Sequence, residues 1–281
     1  MKKLFGLLLL TILLVACGGE DVSPAKGTSE PVKVGIRSSE VTTWNYIKER
    51  AAEQGIDIEL VILSAQLDPN QLLAEGELDL NAFQHVAYLN LFNTSNNTNI
   101  EPIGTTIIAP IGLYSNKYDK IEDLKEGMKV AVPNDPSNWG RALLLLQEKG
   151  FIKVSEDFDG NGGADRIKEN PYNLEILPVE AATLPRVMED IDFAIINNGI
   201  ALESGLYLTD ALIHEDAAAK PFINVIATNA EDVDNETYQK IVDIYQDEET
   251  SAFIEKEFES NFLPVKLTLE ELATWKDVYS Y

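Results

Sequence analysis

The sequence predicts an α/β fold of two lobes, each a mostly parallel sheet flanked by helices. Three observations carry that expectation. Short β-rich runs alternate with helical patterns from Val32 onward, the alternation starts afresh near Met128, and two amphipathic helical stretches follow one last strand towards the C-terminal end.

The elements follow in order. VKVGIR (32–37) reads as a strand. TTWNYIKERAAEQG (42–55) sets Trp44, Ile47 and Ala51 on one helical face, and Gly55 suits the helix C-terminal cap. IELVIL (58–63) is a strand, PNQLLAEGE (69–77) a short helix, LDLNAF (78–83) a strand and HVAYLNLF (85–92) the start of another helix. After IEPIGTTIIAPIGLYS (100–115) the second series runs MKVAVP (128–133), PSNWGRALLLLQEKG (136–150), LEILPVE (174–180), LPRVMED (184–190) and FAIINN (193–198). INVIAT (223–228) is a late strand, and DNETYQKIVDIYQ (234–246) and SAFIEKEF (251–258) are amphipathic helices expected to close back on the first lobe. The first lobe is then discontinuous, 31–113 with 226–281, and the second is 114–225.

Ligands in open parallel sheets sit beyond the carboxyl ends of strands, where NAFQH and VPNDPSN both fall, so a cleft between the lobes is expected. In VPNDPSNWGRALLLL, Asp135 suits the N-cap and Pro136 the first helical position. Asn138 and Arg141 lie three residues apart on one helix face, near free N–H groups and the positive end of the helix dipole, which suits an anion. An alternative duty for Arg141 is a surface pair with Glu148 or Glu175, and Asn134 and Asn138 also fit turn or cap chemistry.

The first residues, MKKLFGLLLLTILLVAC, have a basic start and an apolar run too short to span a bilayer comfortably, and read as an export signal over 1–16. Leu14-Val15-Ala16-Cys17 resembles the bacterial lipobox, which implies that Cys17 is acylated, palmitate included, and anchors the mature chain to the membrane. Residues 17–30 read as a lipid-anchored flexible tether. With a single cysteine the chain has no internal disulfide, so the fold must rest on its core. The net charge of −25 over 281 residues repels nucleic acid and anionic head groups, so no nucleic-acid partner is expected and the membrane contact falls to the acyl chains.

DFDGNGGADRIK (157–168) has Asp, Asp, Asn and Gly at positions one, three, five and six of a calcium loop, but Lys168 stands where the bidentate glutamate belongs. A solvated glycine-rich loop is the better reading, with no metal and no cofactor. Only His85 and His214 are present, and no HExxH, GxSxG or P-loop occurs, so nothing pairs a nucleophile with a base and no enzyme is expected.

Four longer words, GELDLNAFQHVAYL (76–89), VAVPNDPSNWGRALLLLQEKGFIK (130–153), KENPYNLEI (168–176) and AIINN (194–198), resemble, in the same order, segments of the methionine-binding lipoproteins of ABC transporters. The resemblance covers nearly everything from Lys33 onward. It implies a type II periplasmic-binding-protein fold with hinge strands between the lobes, lipid-anchored on the extracytoplasmic face of the cell membrane, that binds L-methionine or a related amino acid and hands it to an ABC permease and its ATPase. It further implies that Arg141 holds the ligand carboxylate, a task suited to a planar guanidinium. Asn197 and Asn224 would hold the polar backbone of the ligand, with Asn138 beside them, and Phe83, His85 and Tyr88 its side chain, where rings suit a thioether. Gln66 replaces a pocket tyrosine of the family, Ala87 its proline before Tyr88, and Gly199-Ile200-Ala201 stands where a further tyrosine is common; Gln66 and Ile200 motivate the alternative of a different amino acid or a methionine-containing dipeptide. A surface adhesion or envelope lipoprotein is the alternative of another class. Arg141→Ala is expected to remove binding and leave the fold intact, since a residue at a helix end is not ordinarily core.

Overall fold

The computed structural model describes residues 30–64, 67–216, 219–259 and 261–279. The signal (1–16), Cys17, nearly all of the tether and Gln66 lie outside the described residues. From Pro31 to Tyr281 the chain forms one compact unit.

The first series gives β1 (Val32–Ile36), α1 (Val41–Glu53), β2 (Ile58–Ile62), α2 (Pro69–Ala74), β3 (Leu80–His85), α3 (Val86–Asn96) and β4 (Ile100–Ile108). The second gives β5 (Gly112–Tyr114), β6 (Lys129–Pro133), α4 (Pro136–Glu148), β7 (Lys153–Val154), β8 (Ile167–Glu169), β9 (Glu175–Val179), α5 (Leu184–Val187), β10 (Phe193–Ile196), α6 (Asn198–Glu203) and β11 (Ile213–His214). The chain then returns through β12 (Ile223–Asn229), α7 (Glu236–Tyr245), α8 (Glu248–Phe258), β13 (Leu263–Pro264) and α9 (Leu269–Ala273).

These strands sort into a six-stranded sheet of order β13-β4-β12-β3-β1-β2, a five-stranded sheet of order β11-β5-β10-β6-β9 and the short β7-β8 pair. Both large sheets are mixed rather than mostly parallel. The βαβ crossovers make β1, β2 and β3 parallel, and likewise β6, β9 and β10, whereas β12, β13, β5 and β11 pair antiparallel because they arrive by other routes. The expected lobe limits at residues 113 and 226 each fall inside a strand, since β5 lies wholly in the second sheet and β12 wholly in the first.

Both faces of each sheet are buried. In the second sheet the side-chain period of two sends Val130 and Val132 into one core with Leu143 and Leu146 of α4, and Ala131 into the other with Leu184 and Ala201. The first sheet divides in the same way, with Trp44, Ile47 and Tyr245 over one face and Leu73, Leu89 and Trp275 over the other. A helix layer on each side therefore fixes the strand ends, and the loops leaving those ends carry the site.

The glycine-rich loop is not simply solvated. Phe158 is buried in the second core, and Gly162 N–H donates to Pro136 O at 3.1 Å. A Cβ on Gly140 of α4 would lie 2.1 Å from Gly160 O. Helix propensity alone favours Gly140→Ala by about 1 kcal/mol. The carbonyl reverses that sign, and chemical denaturation of Gly140→Ala is expected to show a loss of about 1–3 kcal/mol.

Candidate functional site

A cavity of about 500 Å³ lies between the two large sheets, at the strand ends where β1, β3, β6 and β10 give way to helical turns. Its size is within the range of small-molecule sites, about 300–1,000 Å³. Phe83, His85, Tyr88, Asn138, Arg141, Asn197 and Asn224 all line it. The structure thus brings together every sequence-derived ligand candidate among the described residues.

The start of α4 is built as its sequence suggests. Asp135 is the N-cap, accepting from Asn138 N–H at 2.9 Å and from the Ser137 hydroxyl at 2.8 Å, and Pro136 takes the first turn. Both Asp135 carboxylate oxygens also accept from Asn138 Nδ2, each at 3.1 Å. That fixes the amide with Oδ1 towards the cavity. Asn138 Oδ1 then accepts from Asn197 Nδ2 at 2.7 Å and meets His85 Nε2 at 3.2 Å.

His85 is the N-cap of α3, its Nδ1 accepting from Tyr88 N–H at 3.1 Å, so Nε2 carries the proton that goes to Asn138. Burial, with the nearby Arg141 charge, pushes His85 down to about 3, so the ring is neutral at physiological pH. Asn138 and His85 belong to different sheets' helices, and their bond ties the two sides of the cavity together. Phe83 and Tyr88 form an aromatic wall, edge to face with centroids 5.9 Å apart, and Tyr88 Oη donates to Asp68 at 3.3 Å. Asn224 sits opposite His85 in the β12–β3 ladder.

Arg141 departs from expectation in two ways. It is 3% exposed, a core residue despite its place near a helix end. It also pairs with Glu215 rather than with Glu148 or Glu175, which engage Lys149 and Lys129. Arg141 Nε donates to both Glu215 oxygens at 3.1 Å, Nη2 reaches the same carboxylate and Ala109 O, and the guanidinium lies 4.3 Å from the Phe222 ring centre. The Nε/Nη2 edge is therefore occupied. Nη1 has no hydrogen-bond partner among the described residues, which leaves one guanidinium nitrogen for a further contact.

Sequence reasoning missed Glu215, Arg37, Glu40, Asn198 and Glu203, although the last four also line the cavity. Arg37 and Glu40 follow the carboxyl end of β1, so the strand-end rule applied to VKVGIR would have found them. Arg37 Nη1 donates to Leu63 O at 3.1 Å and to Ser64 O, and its guanidinium stands 5.3 Å from the Phe83 ring centre. Glu203 accepts from the Ser38 hydroxyl at 2.5 Å and from Ser39 N–H at 3.1 Å, a second bridge between the two sides. Asn197 and Asn198 line the cavity, and the Oδ1 of each is buried without a donor among the described residues.

In the loop 157–168 a guanidinium stands among the acids. Arg166 is 3.6–3.7 Å from Asp157, Asp159 and Asp165, and Lys168 bonds Glu156 at 2.6 Å. No group of three or more His, Cys, Asp or Glu residues able to hold a metal occurs among the described residues. Millimolar calcium is therefore expected to leave the melting temperature unchanged, and a rise of several degrees by calorimetry would contradict the reading. No helix among the described residues is long and apolar enough to cross a membrane.

Residues 32–266 match the family described as NlpA lipoprotein. The chain is 34% identical to an uncharacterized lipoprotein, YhcJ, of Bacillus subtilis strain 168, with 98% of this chain and 96% of that relative covered. It is 35% identical to the D-methionine-binding lipoprotein MetQ of Escherichia coli K12, over 90% and 93% of the two chains. Among solved structures it is similar to a nutrient binding protein from Burkholderia cenocepacia bound to methionine, with a TM-score of 0.79, 39% identity and coverage of 83% of this chain and 99% of that one.

Proposed function

This chain belongs to the NlpA lipoprotein family, and from that premise we propose that it is the extracytoplasmic solute-binding lipoprotein of an ABC importer, binding methionine between its two lobes. One lobe is built on β1–β4, β12 and β13, the other on β5 to β11. The cleft delivers its cargo to a permease and its ATPase, and no bond is made or broken. Cys17 carries the lipid that holds the chain at the membrane.

The observation that carries this reading is the pairing, in the lining of one cavity, of an aromatic wall with the polar side chains Arg141, Asn197 and Asn224. Arg141 Nη1 takes the ligand carboxylate, with Asn224 beside it. Asn197 Oδ1 takes an N–H of the ammonium group, and Phe83 and Tyr88 hold the thioether, with His85 and Asn138 fixing the wall. A methionine-containing dipeptide is the second reading, favoured by the cavity's size and by Arg37 beside Phe83.

The test is thermal unfolding of protein that has been denatured and refolded to strip any carried ligand. Methionine at one hundred times its Kd is expected to stabilise the fold by about 2.7 kcal/mol. A methionine dipeptide that stabilises more strongly selects the second reading. A panel of amino acids and dipeptides that leaves the melting temperature unmoved contradicts both.

A further inference from the structure

Glu40 ends the turn that follows β1, lines the cavity and is only 7% exposed. Among the described residues its carboxyl accepts no hydrogen bond and joins no ion pair. A buried carboxylate without a partner is strongly unfavourable, so such a group either stays protonated or awaits a cation. Asn197 and Asn198 line the same cavity, and their Oδ1 atoms are the two buried acceptors without donors noted above. The residues lining the cavity therefore include one potential negative charge and two amides whose oxygens lack a donor among the described residues. A primary ammonium group carries one positive charge and three N–H donors.

We infer that Glu40 is the counter-ion of the ligand's ammonium group and gives up its own proton to solvent as that cation enters. The inference rests on the amino-acid reading of the cavity. The ammonium keeps its three protons, the carboxyl O–H bond breaks, and the released proton goes to buffer. The groups facing Glu40 are consistent with this exchange. Glu203 of α6 is a like charge, held by Ser38 and Ser39, and Tyr245 of α7 is kept neutral by burial. Arg37 precedes Glu40 in its own turn, its Nη1 bound to the carbonyls of Leu63 and Ser64, and Arg141 across the cavity is engaged by Glu215. Burial first, and Glu203 second, push Glu40 up to about 8, so most of the empty protein holds the proton at pH 7.

Isothermal titration of L-methionine in buffers of different ionisation enthalpy reads the exchange directly. At pH 7 the wild type is expected to release most of one proton, and its affinity to rise by nearly tenfold per pH unit between about pH 6 and 7.5. Glu40→Gln keeps the shape and removes the proton. It is expected to bind methionine at least tenfold more weakly, with no proton release and a flat pH profile. The methionine analogue with hydrogen in place of the amino group should bind both proteins alike and release no proton from either. If the wild type binds methionine without proton release, or Glu40→Gln retains its affinity and pH profile, the counter-ion assignment fails and the function stands. If methionine does not bind the wild type, both readings fall together.

Discussion

Arg141→Ala should bind no measurable methionine and should also lose about 3–5 kcal/mol of stability, because Glu215 is left as a buried, uncompensated charge. The expectation that this variant leaves the fold intact does not survive the structure, in which the guanidinium is enclosed by Glu215, Ala109 and Phe222. Fold and function are separable by changing both partners. Arg141→Met with Glu215→Leu replaces the ion pair with apolar groups of similar volume, and such replacements are often neutral in stability. The double variant is expected to recover most of the lost melting temperature in thermal unfolding while still failing to bind in calorimetric titration. Recovery of binding along with stability would show that Arg141 serves the fold alone.

Asn138→Ala should weaken methionine binding by roughly 10²-fold or more. Asn138 is the hub where Asp135, His85 and Asn197 meet, so its loss leaves His85 Nε2–H and Asn197 Nδ2 without their acceptor. Buried groups unpaired in this way cost about 1–3 kcal/mol each, and the cost falls on the arrangement that joins the two sides of the cavity. Asn138→Asp should also weaken binding, since it sets a second carboxylate against Asp135 and removes the Nδ2 donor. Calorimetric titration of either variant at wild-type affinity would contradict this account of the hub.

Much of the fold was legible because period and punctuation agree locally. FAII in β10 sends alternate side chains into two cores, Trp44, Ile47 and Ala51 share one face of α1, and Asp135-Pro136 starts α4 where a cap and a proline should. Sheet membership was less legible. A run of apolar residues does not say which sheet it joins, so 100–115 divided at Ala109-Pro110 into β4 and β5, one strand for each sheet. LPRVMED was expected as a helix and forms only the single α-helical turn of α5.

The site divides in the same way. Residues next to strand ends could be found by rule, and the family resemblance added Asn224, whose ladder position opposite His85 is invisible in sequence. Glu215 lies far along the chain from Arg141, and its partnership depends on how the second sheet presents the loop after β11. Arg166 among the aspartates was hidden for a similar reason, because a calcium-loop pattern registers the acids and not the cation beside them.

In the proposed complex a zwitterion sits between the lobes with its acid at Arg141 and its thioether against the aromatic wall. Crystals of the tetherless protein grown with L-selenomethionine, from protein whose own methionines contain sulfur, place the ligand by anomalous scattering. One strong selenium peak is expected against the wall formed by Phe83 and Tyr88, with density running from it to Arg141 Nη1. A cavity without a selenium peak, or a peak with the carboxylate turned away from Arg141, would contradict it.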